Sequence, residues 1–261
     1  MTTEVTQDMI QSCAAQVERA DIDRFKSAMT APLKFRGDLM VLYAFNLEVA
    51  RAPWVTKEPM IAEMRLQWWR DVVEGIDADK APRAHEVATP LDALVRRACI
   101  SSDDLDAMIT ARRWDIYKDA FEDEAHFDRY LTATGGNLMW AAAKALGAPR
   151  TQEKRIRDFG YASALARWFQ AAPALEDAGR IPFVDGRADT FRDMAAVALD
   201  RLKPTRNLGP AKAALRAGWQ TKRLLRQVML DPTVVADGRL GLSDFAKSRS
   251  LFMHSLLGRG I

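Results

Sequence analysis

Two aspartates one helical turn apart, Asp115 and Asp119, form the acidic pair whose spacing comes nearest to that of a metal site. Residues four apart lie on the same face of a helix, so both carboxylates would reach one hard cation such as Mg²⁺. Lys118 stands between them, however, and no second acidic pair is placed to face them. The pattern therefore favours a solvated helix face, with a metal pair as the alternative.

Another acidic pair, Glu176 and Asp177, lies far along the chain. We expect its helix to end at Pro173, because proline interrupts the hydrogen bonds of a helix interior. The histidines are scattered, and no serine or cysteine has a recognisable base beside it. These observations argue against zinc and hydrolase chemistry.

The segment that would position such side chains is the apolar run from Leu39 to Ile76. Pro53 cannot continue a helix, whereas Pro59 suits the first turn of one. Helical stripes of apolar residues precede and follow this turn: Val41, Leu42, Phe45 and Val49, then Ile61, Met64, Trp68 and Val72. The spacing predicts two helices at the centre of a helical bundle.

Helical periodicity continues along the chain, and no segment alternates with period two for long enough to indicate a strand. The sequence therefore predicts an all-α fold. At 261 residues with 48% hydrophobic content, a single domain over 1–261 is expected. Gly135 and Gly136 each cost about 1 kcal/mol inside a helix, which predicts a tight helix contact or a break beside a cavity.

The formal charge of +3 is unevenly distributed, because the segment from Arg201 to Ile261 carries twelve Lys and Arg against three Asp. Five of these cations are predicted to share one helix with an apolar strip: Lys212, Arg216, Lys222, Arg223 and Arg226. Such a helix suits an anionic membrane surface or an acidic partner, and a solvated face is the alternative. No recognition motif for nucleic acid accompanies the charge, so none is expected as a partner.

The N-terminus carries acidic residues and no basic leader followed by an apolar run. The most apolar stretch, Leu138–Ala143, is far shorter than the ~20 residues of a spanning helix. We expect a cytoplasmic protein, soluble or peripheral at the inner face of a membrane.

Three stretches carry a family resemblance. Tyr43-Ala44-Phe45, followed after a polar run by Gln67-Trp68-Trp69-Arg70, resembles the opening of squalene and phytoene synthases, and Gly160-Tyr161-Ala162-Ser163-Ala164-Leu165 is similar to a later helix of that family. Glu58-Pro59-Met60 with the Gln67 stretch resembles a divergent branch that includes a mitochondrial assembly factor for respiratory complex I. The resemblance covers roughly residues 22–230 and implies an isoprenoid-synthase-like helical bundle around a central cavity.

The resemblance also implies two facing aspartate-rich motifs that hold Mg²⁺ while a diphosphate leaves carbon. The matching positions are degenerate: Ala50, Arg51 and Trp54 in the first motif, and Ala171 and Leu175 in the second. None of these side chains can ligate Mg²⁺. No catalytic residue and no cofactor is therefore expected, and Mg²⁺ enters only if its ligands have moved elsewhere.

Cations near the implied cavity offer a way to bind an anion without a metal. Arg51, Arg65 and Arg167 could hold a diphosphate or a lipid headgroup; ordinary pairing with Glu48, Glu63 and Asp71 is an equal alternative. The same segments supply the remaining candidate ligand contacts: Tyr43, Asn46, Gln67 and Trp68.

Two hypotheses follow. The first is a squalene/phytoene synthase-like protein without catalysis, acting as an assembly or lipid-binding factor with an isoprenoid or lipid ligand and a protein partner in respiratory-complex assembly. The second is an active prenyltransferase, joining isoprenyl diphosphates head to head, with re-sited metal ligands among Asp115, Asp119, Glu176 and Asp177.

Overall fold

The computed structural model describes residues 5–202 and 207–257, and in this part of the chain the regular structure is helical, without a strand. The all-α prediction is confirmed. Short 3₁₀ turns lie at Arg150–Gln152, Gly209–Ala211 and Arg216–Gly218, and a π-helix at Thr132–Gly136. The α-helices are α1 (Gln7–Ala20), α2 (Ile22–Met29), α3 (Leu33–Arg51), α4 (Pro59–Asp77), α5 (Ala88–Ala98), α6 (Ser102–Ala111), α7 (Glu124–Leu131), α8 (Asn137–Ala145), α9 (Glu153–Asp177), α10 (Ala188–Arg201), α11 (Lys212–Leu215), α12 (Thr221–Leu230), α13 (Thr233–Ala236) and α14 (Asp244–Leu257).

Buried apolar side chains form two clusters that meet along α9. One cluster contains α1, α3, α5 and α8 and includes Phe159 of α9. The other contains α7, α10 and α12 and includes Phe169, nearly three helical turns further along α9. Burial of apolar area drives both clusters together, so α9 becomes a wall shared by the two halves of the core.

The two helices predicted around Pro53 are present as α3 and α4, and the stripe predicted for α3 is buried. The stripe predicted for α4 is wrong in its first half, because Ile61 and Met64 are exposed, whereas Val72 is buried as predicted and Trp68 is half-buried. This helix packs mainly against α5 and α6 and meets α3 through the rings of Phe45 and Trp69, which are 5.3 Å apart. The buried face of α4 consists of Ala62, Leu66, Trp69, Val72, Val73 and Ile76.

Helix α9 continues through Pro173 to Asp177, so the expected end at Pro173 is wrong. Proline removes one hydrogen-bond donor, but its fixed φ is compatible with a helix. Ala172 and Leu175 are buried on either side of it, and this packing stabilises the last turn. As a consequence, Ala171 and Leu175 stay on one continuous helix.

The glycines predicted to mark a tight contact or a break do both. Thr132–Gly136 is a π-helix between α7 and α8, an irregularity that is frequent beside functional sites. There α8 and α9 approach so closely that a Cβ atom on Gly160 would lie 2.6 Å from the carbonyl oxygen of Gly135 and 2.7 Å from Cβ of Met139. Only glycine allows this crossing.

The segment predicted as one basic helix is interrupted. A 3₁₀ turn at Arg216–Gly218 separates α11 from α12. Gly218 packs so closely on Phe159 that an added Cβ would lie 2.5 Å from the ring, and Trp219 turns inward. The predicted single helical face is therefore wrong, because packing against α9 breaks the helix after α11.

Candidate ligand cavity

A cavity of about 320 Å³ lies between the two apolar clusters. Its walls come from α2, α3, α7, the π-helix, α8 and α9, and much of its lining is apolar, including Leu138, Met139 and Trp168. Trp54 and Ala171 are its exposed lining residues and mark its mouth. The volume is at the lower end of the roughly 300–1,000 Å³ typical of a site for one small ligand.

The degenerate motif positions face this cavity from two sides. Ala50 and Trp54 line it from the end of α3 and the following turn, and Ala171 and Leu175 line it from the last turns of α9. Arg51 does not line the cavity and is exposed. The places where the resemblance implies metal-binding carboxylates are thus occupied by side chains that bind no metal.

Three of the candidate ligand contacts line the cavity: Tyr43, Asn46 and Arg167. Burial raises the pKa of the Tyr43 hydroxyl to about 12, so this group stays a neutral hydrogen-bond donor at physiological pH. Asn46 is buried beside it on α3. Both can therefore donate to the polar end of a ligand.

The candidates on α4 do not line the cavity, which corrects the expectation for Arg65, Gln67 and Trp68. Arg65 is exposed, and the Gln67 amide donates to Asp71 over 2.7 Å. Trp68 is half-buried and packs on Trp69, with ring centroids 4.8 Å apart. The orientation of α4 against α5 and α6 turns this face away from the cavity.

The alternative prediction, in which these arginines pair with Glu48, Glu63 and Asp71, is also wrong. Arg167 forms an ion pair with Asp21, at 3.2 Å, and not with a residue of the Leu39–Ile76 segment. Glu63 instead pairs with Arg113, at 3.1 Å, and Asp71 pairs with Arg83, at 3.2 Å.

Arg24 and Arg112 join Arg167 in the cavity lining, and the sequence did not single them out. Arg24 lies 3.4 Å from Asp21 and over the Tyr43 ring, and its buried Nε atom has no hydrogen-bond partner. Burial lowers the pKa of Arg24, and the charges of Arg167 and Arg112 lower it further, whereas Asp21 raises it. Arg167 and Arg112 are thus close enough to act electrostatically on Arg24, and we call these three residues the cavity arginines.

The one carboxylate in the lining is Asp115, which is buried with 2% of its surface exposed. The Tyr130 hydroxyl donates to it over 2.9 Å, and a guanidinium nitrogen of Arg112 lies at 3.3 Å. Burial raises the pKa of the Asp115 carboxyl, although Arg112 and Tyr130 act to lower it. The prediction of a solvated helix face is wrong for Asp115, because α6 ends at Ala111 and the following turns direct this residue inward.

The donor set does not fit a two-motif Mg²⁺ site. Asp115 is already bonded to Arg112 and Tyr130, and Asp119, Glu176 and Asp177 are exposed and outside the lining. Among the described residues, no group of three or more His, Cys, Asp or Glu side chains is placed to hold a metal. With three arginines and one aspartate, the lining is suited to an anion and not to a hard cation.

The helical walls and the central cavity between them define the class of protein: an isoprenoid-synthase-like helical bundle. The sequence profile of squalene/phytoene synthases matches residues 17–184, well over half of the chain. The chain belongs to the squalene/phytoene synthase family. The predicted resemblance is thereby confirmed.

Solved structures agree with this fold. A crystal structure of a dehydrosqualene synthase in complex with ligand superposes with a TM-score of 0.69 at 11% identity, covering 94% of this chain and 95% of that one. Squalene synthase HpnC from Alicyclobacillus acidocaldarius gives 0.62 at 15% identity, covering 96% and 94%. At these identities the likeness shows the fold alone.

The curated proteins that the chain matches carry a different kind of name. The chain is 25% identical over 135 residues to "NADH dehydrogenase (ubiquinone) complex I, assembly factor 6" of Homo sapiens, which is 52% of this chain and 40% of that protein. The Rattus norvegicus protein of the same name is 24% identical over 162 residues, 62% of this chain and 48% of that one. The chain thus spans less than half the length of these curated relatives.

None of the helices in residues 5–202 and 207–257 is long and apolar enough to cross a membrane.

Proposed function

We propose that this protein is a non-catalytic member of its family that binds one anionic isoprenoid or lipid in its cavity and acts as an assembly or lipid-binding factor at the cytoplasmic face of a membrane. One observation carries the proposal: the four cavity positions that match the aspartate motifs are Ala50, Trp54, Ala171 and Leu175, while the charge in the lining comes mainly from the cavity arginines.

The ligand class follows from the two kinds of surface in the cavity. A phosphate or diphosphate group would accept hydrogen bonds from the cavity arginines, and an isoprenyl or acyl chain would pack on Leu138, Met139 and Trp168. Arg24 lines the cavity together with Arg112 and Arg167, so its guanidinium is one of the donors placed for such a group.

The missing carboxylates argue against head-to-head condensation. If Mg²⁺ coordination supplies ~6 kcal/mol of transition-state stabilisation, its loss slows diphosphate departure about ten-thousandfold. The reaction also requires two isoprenyl diphosphates at once, whereas a cavity of about 320 Å³ suits a single ligand. Both arguments favour binding over turnover.

The role in assembly is supported by the names of the curated relatives, which are assembly factors of respiratory complex I. The partner we propose is a subunit or assembly intermediate of a respiratory complex. The protein would then carry its bound lipid to that partner, or bind the partner differently when the lipid is present.

The test is a titration of the full chain with farnesyl diphosphate in EDTA and in Mg²⁺, followed by extraction and analysis of products. We expect saturable binding of similar affinity in both buffers and no head-to-head product with farnesyl or geranylgeranyl diphosphate. Binding that requires Mg²⁺, or a condensed product well above background, would support the prenyltransferase hypothesis with re-sited ligands and overturn the proposal. Absence of any binding would overturn the ligand assignment.

A further inference from the structure

An exposed apolar surface surrounds the turn between α3 and α4. It consists of Trp54, Val55, Met60, Ile61 and Met64, which we call the turn surface. Met60 and Met64 expose 76% and 67% of their surface, and the other three expose 46–47%. Five large apolar side chains exposed within so short a segment are typical of an interaction site.

The turn surface is continuous with the mouth of the cavity. Trp54 belongs to both, and the guanidinium of Arg180 lies over its ring, 5.1 Å from the centroid. Arg180 also donates to the carbonyls of Asp115 and Tyr117, and the Tyr117 hydroxyl bonds Glu63 of α4 over 3.1 Å. The turn is thereby tied to the residues around the mouth.

The surroundings of the turn surface are positively charged. Arg51, Lys57 and Arg65 are exposed beside it, and within the described part of the chain none of the three forms an ion pair. The segment from Arg51 to Arg65 contains two acidic residues. Glu63 forms an ion pair with Arg113, which leaves Glu58 as the acid without an ion pair among the described residues. Unpaired cations around an exposed tryptophan and aliphatic side chains suit the interface of an anionic bilayer.

We propose that the turn surface docks on an anionic phospholipid bilayer, with the cavity mouth facing the membrane. Met60, Ile61 and Met64 enter the headgroup region, the three cations contact lipid phosphates, and an amphiphile passes between bilayer and cavity beside Trp54. The inference rests on the proposed function for the nature of that amphiphile. Charge and the shared mouth favour a membrane; a protein partner would not require that the apolar surface continue into a ligand cavity.

The test is sedimentation of the full chain with vesicles of phosphatidylcholine with or without phosphatidylglycerol. The variant Met60→Gln with Met64→Gln removes two exposed apolar side chains and keeps helix propensity. Its matched control is Leu33→Gln with Leu230→Gln, because both leucines are 79% exposed and lie outside the turn surface. We expect the methionine variant to bind anionic vesicles at least about tenfold more weakly, and the control to bind like the unmodified protein.

The outcomes separate this inference from the proposed function. Loss of vesicle binding in the methionine variant, with farnesyl diphosphate affinity unchanged, supports docking through the turn surface. Equal vesicle binding by both variants, or equal loss in both, overturns it without touching the cavity. Failure of the unmodified protein to bind any vesicle also overturns it and points to a protein partner. If farnesyl diphosphate does not bind but the methionine variant alone loses vesicle binding, the proposed function fails and the docking surface stands.

Discussion

Positive charge is arranged differently in two regions of the molecule. One region holds the cavity arginines, and the other holds the C-terminal cations: Lys212, Arg216, Lys222, Arg223 and Arg226. Arg24, Arg112 and Arg167 lie far apart in the sequence but meet around one cavity. The C-terminal cations lie close together in the sequence but separate in space: Arg216 points to α2, whereas Lys222, Arg223 and Arg226 are exposed on α12. A dense run of charge in the sequence therefore need not form one charged surface in the fold.

The difference arises from what each set of cations must pack against. Arg24 and Arg112 keep only 13% and 18% of their side chains exposed, so they need the carboxylates of Asp21 and Asp115 as partners, and the more exposed Arg167 shares Asp21. The exposed cations of α12 are solvated and contribute little to the stability of the fold. Changes near the cavity should therefore have large effects, and changes on α12 small ones.

The largest expected effect comes from Asp21→Asn. Asp21 pairs with Arg24 and Arg167 and accepts the backbone N–H of Arg24 at the start of α2 over 2.9 Å. Asparagine keeps the capping bond but leaves two partly buried cations without their partner, so we expect a loss of about 3 kcal/mol in the free energy of unfolding. Urea denaturation at neutral pH measures it.

The control is Asp38→Asn, which breaks a pair with the mostly exposed Arg97 and should lose less than about 1 kcal/mol. The pH dependence gives a second check. Burial alone would raise the pKa of Asp21, but Arg24 and Arg167 lower it below its usual value of 3.8. The stabilisation is therefore complete above that value and lost as the pH falls through the lower pKa of the folded state. If the difference between Asp21→Asn and the unmodified protein does not shrink below about pH 4, the ion pairs are not its source.

The second effect concerns ligand affinity. Arg167 lines the cavity and keeps 38% of its side chain exposed, so Arg167→Gln should remain folded. A hydrogen bond to a charged group contributes about 1.5–3 kcal/mol, which predicts a roughly 10–100-fold weaker affinity for farnesyl diphosphate. Arg223→Gln, an exposed change on α12, should leave the affinity unchanged. Equal losses in the two variants would indicate a general charge effect, and circular dichroism checks folding.

Much of the cavity wall was accessible from the sequence. The family resemblance identified five facing positions, of which Ala50, Trp54, Ala171 and Leu175 line the cavity and Arg51 does not. Periodicity also predicted the apolar stripe of α3, which is buried. These features depend on local patterns, which a single sequence contains.

The rest depends on long-range packing. Arg24 and Arg112 become neighbours only when α2 and the turns after α6 are placed against α9, and no local pattern encodes that contact. The buried face of α4 was also not decided locally, because this helix is apolar around much of its circumference and its neighbours select the face. Asp115 was assigned to a solvated helix because its burial also depends on long-range packing, which directs the turns after α6 inward.

The smallest expected effect separates two cations that the sequence grouped together. The Arg216 guanidinium donates to the carbonyl and hydroxyl oxygens of Thr30 over 2.8 and 2.9 Å, so Arg216→Gln should lower the free energy of unfolding by about 1–2 kcal/mol. Lys222→Gln, an exposed change on α12, should alter it by no more than about 0.5 kcal/mol. Urea denaturation of both variants measures the difference.

Vesicle sedimentation tests whether the exposed cations of α12 add to membrane binding. We expect Lys222→Gln, Arg223→Gln and Arg226→Gln together to leave sedimentation with anionic vesicles nearly unchanged, because these side chains lie outside the turn surface. A large loss would instead assign membrane binding to α12, and equal destabilisation by Arg216→Gln and Lys222→Gln would contradict the structural role of Arg216.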